Sequence, residues 1–155
     1  VNRTGRNDIV EAKVSFDDEN VYFYVRIREK LTSADDRNWM LLLIDSDSNT
    51  KTGWLGYDRM VNRKSIRSGK TVMEKNVDDG YLWGSPQTTD LQVGENELEL
   101  AISRKALGVG RDSAILDFKW ADNIQQTGQW SDFTLNGDVA PNDRFNYRAK
   151  LDAEK

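Results

Sequence analysis

The feature that most constrains the fold is a run of six apolar residues at positions 39–44, with the sequence Trp-Met-Leu-Leu-Leu-Ile. The run is too short for a free-standing helix and is bounded by polar turn residues, which favours a strand covered on both faces. We therefore predict a central β-strand over 39–44. An acidic loop at 45–49 follows it directly, and a second strand is expected to return from Tyr57. This corner is the first place to look for a functional site.

Alternation of apolar and polar residues predicts further strands on both sides of this corner. The expected strands cover 10–16 and 21–27 as a hairpin with one buried face, 71–75, 97–102, 114–120 and 145–151. Gly84, Ser85 and Pro86 are expected to end a short segment at 81–83, before an edge strand around Leu91 and Val93. Ser103 can cap a single helical turn that Gly108 ends, and this is the only helix that we predict.

Strands separated by short turns, with almost no helical periodicity and no repeat, predict an all-β protein. The expected architecture is an antiparallel β-sandwich, jelly-roll or immunoglobulin-like, with one short helical turn. The 155 residues fit a single domain spanning 1–155. The first residues contain neither an initiator Met nor the apolar core of a signal peptide, so we expect either a domain excised from a larger protein or a processed fragment. No stretch approaches the length of a membrane span, so membrane insertion is not expected.

Composition excludes several classes of function. Lys and Arg number 22 against 26 Asp and Glu, and a net charge of -4 argues against binding nucleic acid or anionic membranes through a basic face. The chain has no Cys and no His. It therefore lacks thiol chemistry, the Ser-His-Asp triad, and the zinc and haem sites that depend on imidazole.

The acidic loop contains Asp45, Asp47 and Asn49 at alternate positions, which places three oxygen-bearing side chains on one side of a tight loop. Ca²⁺ favours such ligands, so the sequence indicates a structural calcium site. Lys51 could add a backbone carbonyl and Asp58 a further carboxylate. The alternative is a strand-to-strand turn in which these side chains bond their own backbone. The loop is not an EF-hand, because Thr50 and Gly56 replace the required Gly and Glu.

Three tryptophans lie beside glycine in turn contexts, and exposed aromatic rings can stack on sugar rings. Trp54, Trp83 and Trp130, together with Tyr57, are therefore candidates for a sugar-binding platform. The alternative is that these rings close the ends of the sandwich. Carboxylates are plentiful, but no pair stands in a geometry that suggests hydrolysis, and we predict that the chain is not an enzyme.

Short motifs over most of the chain from Val21 onward carry a family resemblance: residues 42–47 with Asn49, 52–54, 56–58, 98–103, 106–108, 137–138 and 144–147. Together they resemble the family 9 carbohydrate-binding modules and their bacterial relatives. The resemblance implies an antiparallel β-sandwich, often with bound Ca²⁺, appended to a larger secreted enzyme of polysaccharide breakdown. It therefore implies a non-catalytic accessory domain, extracellular or periplasmic, whose partners are an oligo- or polysaccharide and a catalytic domain of the same chain.

The sugar clamp of that family does not carry over. Its two tryptophans fall near residues 35–36 and 138–139, where this chain has no aromatic residue, and its acidic residue falls at Leu41. The family's arginine falls near Met60 or Arg59, and we include Arg59 among the ligand-binding candidates. The resemblance transfers only the metal loop. A structural or interaction sandwich that has lost sugar binding is the alternative function.

Overall fold

The computed structural model describes residues 4–64 and 67–152, which form ten strands and two short helices. In chain order these are β1 (Ile9–Phe16), β2 (Asn20–Ile27), β3 (Leu41–Asp45), β4 (Arg59–Val61), β5 (Lys70–Asn76), β6 (Trp83–Val93), β7 (Glu97–Ser103), α1 (Arg104–Leu107), β8 (Ala114–Asp122), α2 (Asp132–Leu135), β9 (Asp138–Ala140) and β10 (Tyr147–Leu151). None of the described helices is long and apolar enough to cross a membrane.

All strands belong to one antiparallel sheet in the order β1-β2-β7-β6-β5-β4-β3-β8-β10, with β9 paired to β8. The sheet curls on itself, because the rings of Phe23 on β2 and Phe118 on β8 meet edge to face at 5.2 Å. The backbone N–H of Ile9 also donates a 2.6 Å hydrogen bond to Oδ2 of Asp138, which brings β1 to β9. The sheet is thus nearly closed, and the prediction of a mostly antiparallel β fold is confirmed at this level.

The main core fills the inside of the curled sheet, and the hairpin of β1 and β2 follows the predicted pattern. Val21, Phe23, Val25 and Ile27 alternate inward along β2 and are fully buried. Side chains of β3 are buried on both faces, as the apolar run predicts. Leu42 and Ile44 point into the main core, whereas Leu43 belongs to a second apolar cluster on the other face.

We call this second cluster the outer layer. Its buried members are Leu43, Trp54, Tyr57, Met60, Trp83, Ala121, Ile124, Phe133 and Val139. Strands β3, β4 and β8 supply the floor, and the segments between strands supply most of the aromatic rings. The outer layer therefore covers the second face of the central strand and carries the candidate site.

The central strand begins two residues later than the sequence predicts. Asn38 and Met40 have positive φ angles of 52° and 42°, so the backbone turns before it extends at Leu41. Trp39 and Met40 are nevertheless buried in the main core.

The predicted break at 84–86 is wrong, because β6 continues through it for 11 residues and is an inner strand between β5 and β7. The pairing with β5 shifts register there: Lys75 faces Gly84, whereas Met73 faces Gln87. One extra residue is accommodated on β6, and Ser85 takes a positive φ of 48°. Pro86, which has no N–H to donate, is tolerated at this bulge.

The helical turn α1 confirms the capping prediction. Ser103 Oγ accepts a 3.1 Å hydrogen bond from the N–H of Ala106, and Gly108 ends the turn with a φ of 78°. The second helix α2 and the short strand β9 were not predicted. The last strand begins at Tyr147, and Phe145, which the alternation placed in it, lies outside it and is 73% exposed.

Candidate functional site

The acidic loop brings three carboxylates together at the end of β3. Asp45 is its last residue, Asp47 lies in the following turn, and Asp58 precedes β4. One carboxylate oxygen of each lies within 4.8 Å of the others. Asp45 is buried, Asp58 is half-buried and Asp47 is exposed. The predicted ligands Asp45 and Asp47 thus meet, and Asp58 completes the set of three.

Asn49, the third predicted ligand, is engaged in the turn. Its Oδ1 accepts a 3.1 Å hydrogen bond from the N–H of Lys51. Its own N–H donates to Oδ1 of Asp47 at 2.9 Å and to Oδ1 of Asp45 at 3.3 Å. Asn49 therefore fixes the positions of the two carboxylates. It also takes part in the hydrogen bonds between side chains and backbone that are expected of a simple strand-to-strand turn.

Asp58 is held by Ser46, whose N–H and hydroxyl donate to its two carboxylate oxygens at 3.0 and 2.8 Å. The Arg59 guanidinium is 3.6 Å from Oδ2 of Asp58. Burial is the main cause that raises the pKa of Asp58. The positive charge of Arg59 lowers the pKa of Asp58 but only partly offsets the effect of burial.

Burial is also the main cause that raises the pKa of Asp45 to about 6, followed by a hydrogen bond shared with Asp47 and by the negative charges of Asp47 and Asp58. A cation between the three carboxylates would relieve this repulsion. The donors are hard oxygens from three side chains, which is the ligand set that Ca²⁺ prefers. The residues present therefore fit a divalent cation of that kind.

A tight turn shapes the connection from the acidic loop to β4. Trp54 and Tyr57 exchange two backbone hydrogen bonds of 3.0 Å, and the two residues between them have positive φ angles of 57° and 95°. This is the turn geometry that suits a two-residue hairpin. Gly53 is required beside it, because a Cβ atom there would lie 2.2 Å from the carbonyl oxygen of Tyr57. The turn places Leu55 in solvent.

Three of the four aromatic candidates are buried in the outer layer. Trp54, Tyr57 and Trp83 are only 9%, 3% and 7% exposed. Trp54 packs edge-on against Tyr81 and Phe133, with ring centroids 4.9 and 5.8 Å away. These rings pack on one another and on the sheet, because the second face of β3 needs an apolar cover. They do not present the open platform that the turn contexts suggested.

Trp130 differs from these three, because 44% of its surface is exposed. It lies beside an open groove of about 400 Å³. The groove is lined by Thr50, Leu55, Tyr57, Trp130, Phe133, Arg144 and Asn146. The Tyr57 hydroxyl donates a 2.6 Å hydrogen bond to Oδ1 of Asn146. The groove thus joins the segment that leaves the acidic loop to the segments that flank β9.

Arg59 lies apart from Trp130. It is half-buried on β4 and donates through Nη1 to its neighbour's carbonyl, that of Asp58, at 3.1 Å and through Nη2 to the carbonyl of Leu107 at 3.4 Å. With Asp47 and Asp58 it lines a separate cleft of about 360 Å³ beside the acidic loop. Arg59 therefore belongs with the carboxylates, and the five predicted ligand-binding residues do not form a single site.

Phe133, Arg144 and Asn146 line the groove but were not among the ligand-binding residues expected from the sequence. Arg144 and Asn146 lie in one of the motifs of the family resemblance, but nothing assigned them a role. Their signal was weak: a turn rich in Pro, Asn and Asp at 141–143 places the following residues at the surface. Only the folded chain brings them opposite Tyr57 and Trp130.

Comparisons of the chain with protein-family models, with curated proteins and with solved structures found no match.

Proposed function

We propose that the chain is a non-catalytic carbohydrate-binding domain. In this proposal it resembles the family 9 modules, adopts their β-sandwich or jelly-roll architecture, and belongs to a larger extracellular or periplasmic bacterial protein that acts on polysaccharides. The observation that carries the proposal is the groove beside Trp130. Contact between Phe23 and Phe118 across the main core supports the sandwich, since two strands distant in the sheet face each other there.

The groove suits a sugar because it combines an exposed indole ring with polar groups at its floor. An indole can pack on the C–H face of a sugar ring, and amide or hydroxyl groups can bond its hydroxyls. Asn146 uses Oδ1 to accept from Tyr57, so its amide N–H groups remain as donors towards a ligand. The described lining offers rings, hydroxyls and an amide, which suits binding rather than hydrolysis by paired carboxylates.

Affinity gel electrophoresis against a panel of soluble plant and microbial polysaccharides tests this proposal. We expect retention by at least one polysaccharide, and loss of retention in Trp130→Ala. Phe145→Ala is the matched control, because Phe145 is an exposed aromatic residue that lies between Arg144 and Asn146 in the chain but does not itself line the groove. Equal losses in both variants would indicate nonspecific adsorption and contradict the proposal.

The second candidate function is a structural or interaction domain that docks on a catalytic domain of the same parent chain. Burial of Trp54, Tyr57 and Trp83 in the outer layer favours it, because three of the four aromatic candidates serve packing. Failure of the wild-type protein to bind any polysaccharide of the panel would leave this function as the better one.

Calcium is part of the proposed function as a structural ion. Asp45, Asp47 and Asp58 would hold it, with Asn49 orienting the loop. With its two positive charges, the bound ion would offset most of the negative charge of the three carboxylates and tie the end of β3 to the start of β4. Chemically it would supply charge compensation.

Thermal unfolding with and without Ca²⁺ tests the metal site. A ligand at 100 times its Kd stabilises the folded state by about 2.7 kcal/mol, which corresponds to ~5–10 °C in Tm for a domain of this size. We expect this shift in the wild type and its loss in Asp47→Asn. The control is Asp90→Asn, an exposed carboxylate on β6 that pairs with Lys70. If calcium has no effect on the wild-type Tm, the loop is a turn without a metal.

A further inference from the structure

Among the described residues that line the groove beside Trp130, Arg144 is the one with a charged side chain. Its guanidinium carbon lies 4.3 Å from the centroid of the Trp130 ring, so the guanidinium stacks on the indole. The side chain is exposed. Among residues 4–64 and 67–152, no carboxylate forms an ion pair with it and no acceptor takes a hydrogen bond from it. Its five N–H donors are therefore available to a ligand.

The rest of the described groove lining is neutral: Thr50, Leu55, Tyr57, Trp130, Phe133 and Asn146. The phenol of Tyr57 is neutral and donates its proton in a 2.6 Å hydrogen bond to Oδ1 of Asn146. Asp143, the neighbour of Arg144, lines a different cleft with Thr134 and Asp138. The positive charge in the groove is thus not cancelled by an acidic residue of its own wall.

The nearby arginine on the same segment is already used. Arg148 donates through Nε and Nη2 to the two carboxylate oxygens of Asp117, both at 2.8 Å. This bidentate pair across β10 and β8 neutralises both groups. Arg148 is thus neutralised by Asp117, whereas no described carboxylate forms an ion pair with Arg144.

We infer that the groove selects acidic polysaccharides, and that Arg144 binds the carboxylate of a uronic acid residue. This inference rests on the proposed carbohydrate-binding function and names its substrate class. The planar guanidinium matches a carboxylate through two parallel hydrogen bonds. Stacking on Trp130 holds the guanidinium plane in place while leaving its N–H edge free, so little freedom is lost on binding. Tyr57 and Asn146 form the neutral floor for the sugar ring.

The net charge of -4 does not prevent this binding. Charges farther away than about 8 Å are largely screened at physiological ionic strength, whereas a direct contact between guanidinium and carboxylate is not. Selection therefore depends on the local charge of the groove. Added salt is expected to weaken binding of the acidic polymer more than binding of a neutral one.

The direct test compares polygalacturonate with the same polymer after full methyl esterification, since the two differ mainly in the charge of the carboxyl group. We expect the wild type to bind the acidic form at least about tenfold more tightly, which is the scale of one charge-assisted hydrogen-bonded contact. Arg144→Gln should lose this preference and keep its affinity for the ester. Arg144→Lys should keep part of this preference, because lysine retains the positive charge but lacks the planar guanidinium that forms two parallel hydrogen bonds.

Arg148→Gln is the matched control: it removes an exposed arginine of the same segment whose partner is Asp117 and not the groove. It should retain the full preference for the acidic polymer. Thermal unfolding of Arg144→Gln should show a Tm only about 1–4 °C below that of the wild type, because this exposed side chain loses only its stack on Trp130. A folded variant with altered preference then locates the effect in the groove.

Three outcomes would overturn the inference. If the acid and the ester bind equally and Arg144→Gln changes neither affinity, the carbohydrate-binding function stands and its acidic specificity is wrong. If poly-L-glutamate competes as well as polygalacturonate, the groove recognises acidic peptides and not sugars. If the wild type binds no polysaccharide at all, both the proposed function and the inference fail.

Discussion

The hydroxyl of Tyr57 donates a 2.6 Å hydrogen bond to Oδ1 of Asn146, and this contact joins two segments that lie 89 positions apart in the chain. Tyr57 begins the return from the acidic loop, whereas Asn146 immediately precedes β10. The ring of Tyr57 is buried in the outer layer, and Asn146 is at the surface. The bond therefore fixes the floor of the groove to the outer layer.

Tyr57→Phe removes this hydrogen bond and keeps the ring. We expect a loss of about 1 kcal/mol in the free energy of unfolding, the usual net worth of one such bond. Urea denaturation monitored by circular dichroism measures it. Tyr147→Phe is the control, because Tyr147 is 37% exposed and its hydroxyl makes no hydrogen bond with a described residue. Equal losses in the two variants would show that the contact to Asn146 contributes nothing specific.

Trp83 and Trp130 are expected to lose very different amounts of stability on truncation. Trp83→Ala opens a cavity in the outer layer and should cost about 3–5 kcal/mol in the free energy of unfolding. Trp130→Ala removes a half-exposed ring and its stack with Arg144, which is worth about 0.5–1 kcal/mol at an exposed site. Chemical denaturation of both variants checks the difference. A cost above ~3 kcal/mol at Trp130 would assign this residue to the core.

Asp45 makes stability depend on pH in the absence of metal. Its pKa is raised to about 6 by burial and by Asp47, above its ordinary value of 3.8. The folded state therefore holds a proton that the unfolded state releases, so the free energy of unfolding falls as pH rises from about 4 to 6. Comparing the wild type with Asp45→Asn in chelator isolates this effect. The wild type should lose stability relative to the variant by an amount on the order of 1 kcal/mol over that range.

The difference between the two proteins should be constant below about pH 3 and again above about pH 7. Excess Ca²⁺ should reverse the trend for the wild type, because the ion binds the ionised carboxylates. A difference that does not change with pH in chelator would mean that Asp45 titrates as an ordinary surface carboxylate.

Lys119 is expected to have the opposite effect at alkaline pH, where it makes the free energy of unfolding rise with pH. Its side chain is fully buried on β8, and Nζ donates a 2.5 Å hydrogen bond to the carbonyl of Pro141. Burial lowers the pKa of Lys119 from 10.5 to about 8, although the charge of Asp143 opposes the shift. Between these two values the unfolded state binds the proton and the folded state does not, so stability should rise from about pH 8 to 10.

Lys119→Met is the matched variant, since it fills a similar volume and cannot ionise. Thermal unfolding at pH 7.5 and 9.5 measures the difference in Tm between the two proteins. The Tm of the wild type, relative to that of the variant, should be higher at pH 9.5 than at pH 7.5. If the two proteins change in parallel, the amine reaches solvent and keeps an ordinary affinity for its proton.

Local patterns predicted most of the strands and the helical turn α1. The apolar run at 39–44 was particularly informative, because it required an apolar cover on both faces of the central strand. The structure has both covers, which are the main core and the outer layer. The sequence did not say what forms the second cover. Trp54, Tyr57 and Trp83 form it, although the glycines beside them suggested exposure. A turn residue can still direct its side chain back onto a sheet, and only tertiary contacts decide this.

The break expected at Pro86 was wrong for a similar reason. Proline lacks a backbone donor, which argues against an inner strand, but a single extra residue at a bulge removes the need for that donor. The candidate site was predicted in part. Asp45 and Asp47 are two positions apart in the chain, so the sequence alone brought them together. Arg144 and Asn146, in contrast, meet Tyr57 and Trp130 only through contacts between distant segments.

Because its five tryptophans are unequally buried, the intrinsic fluorescence of this domain can report on the groove. Trp39, Trp54, Trp83 and Trp120 are shielded by the protein, and Trp130 alone among them is substantially open to solvent. A dissolved quencher such as iodide therefore reaches one indole preferentially, and the quenched fraction of the emission comes mainly from the wall of the groove. Occupancy of the groove can then be followed by fluorescence without any label.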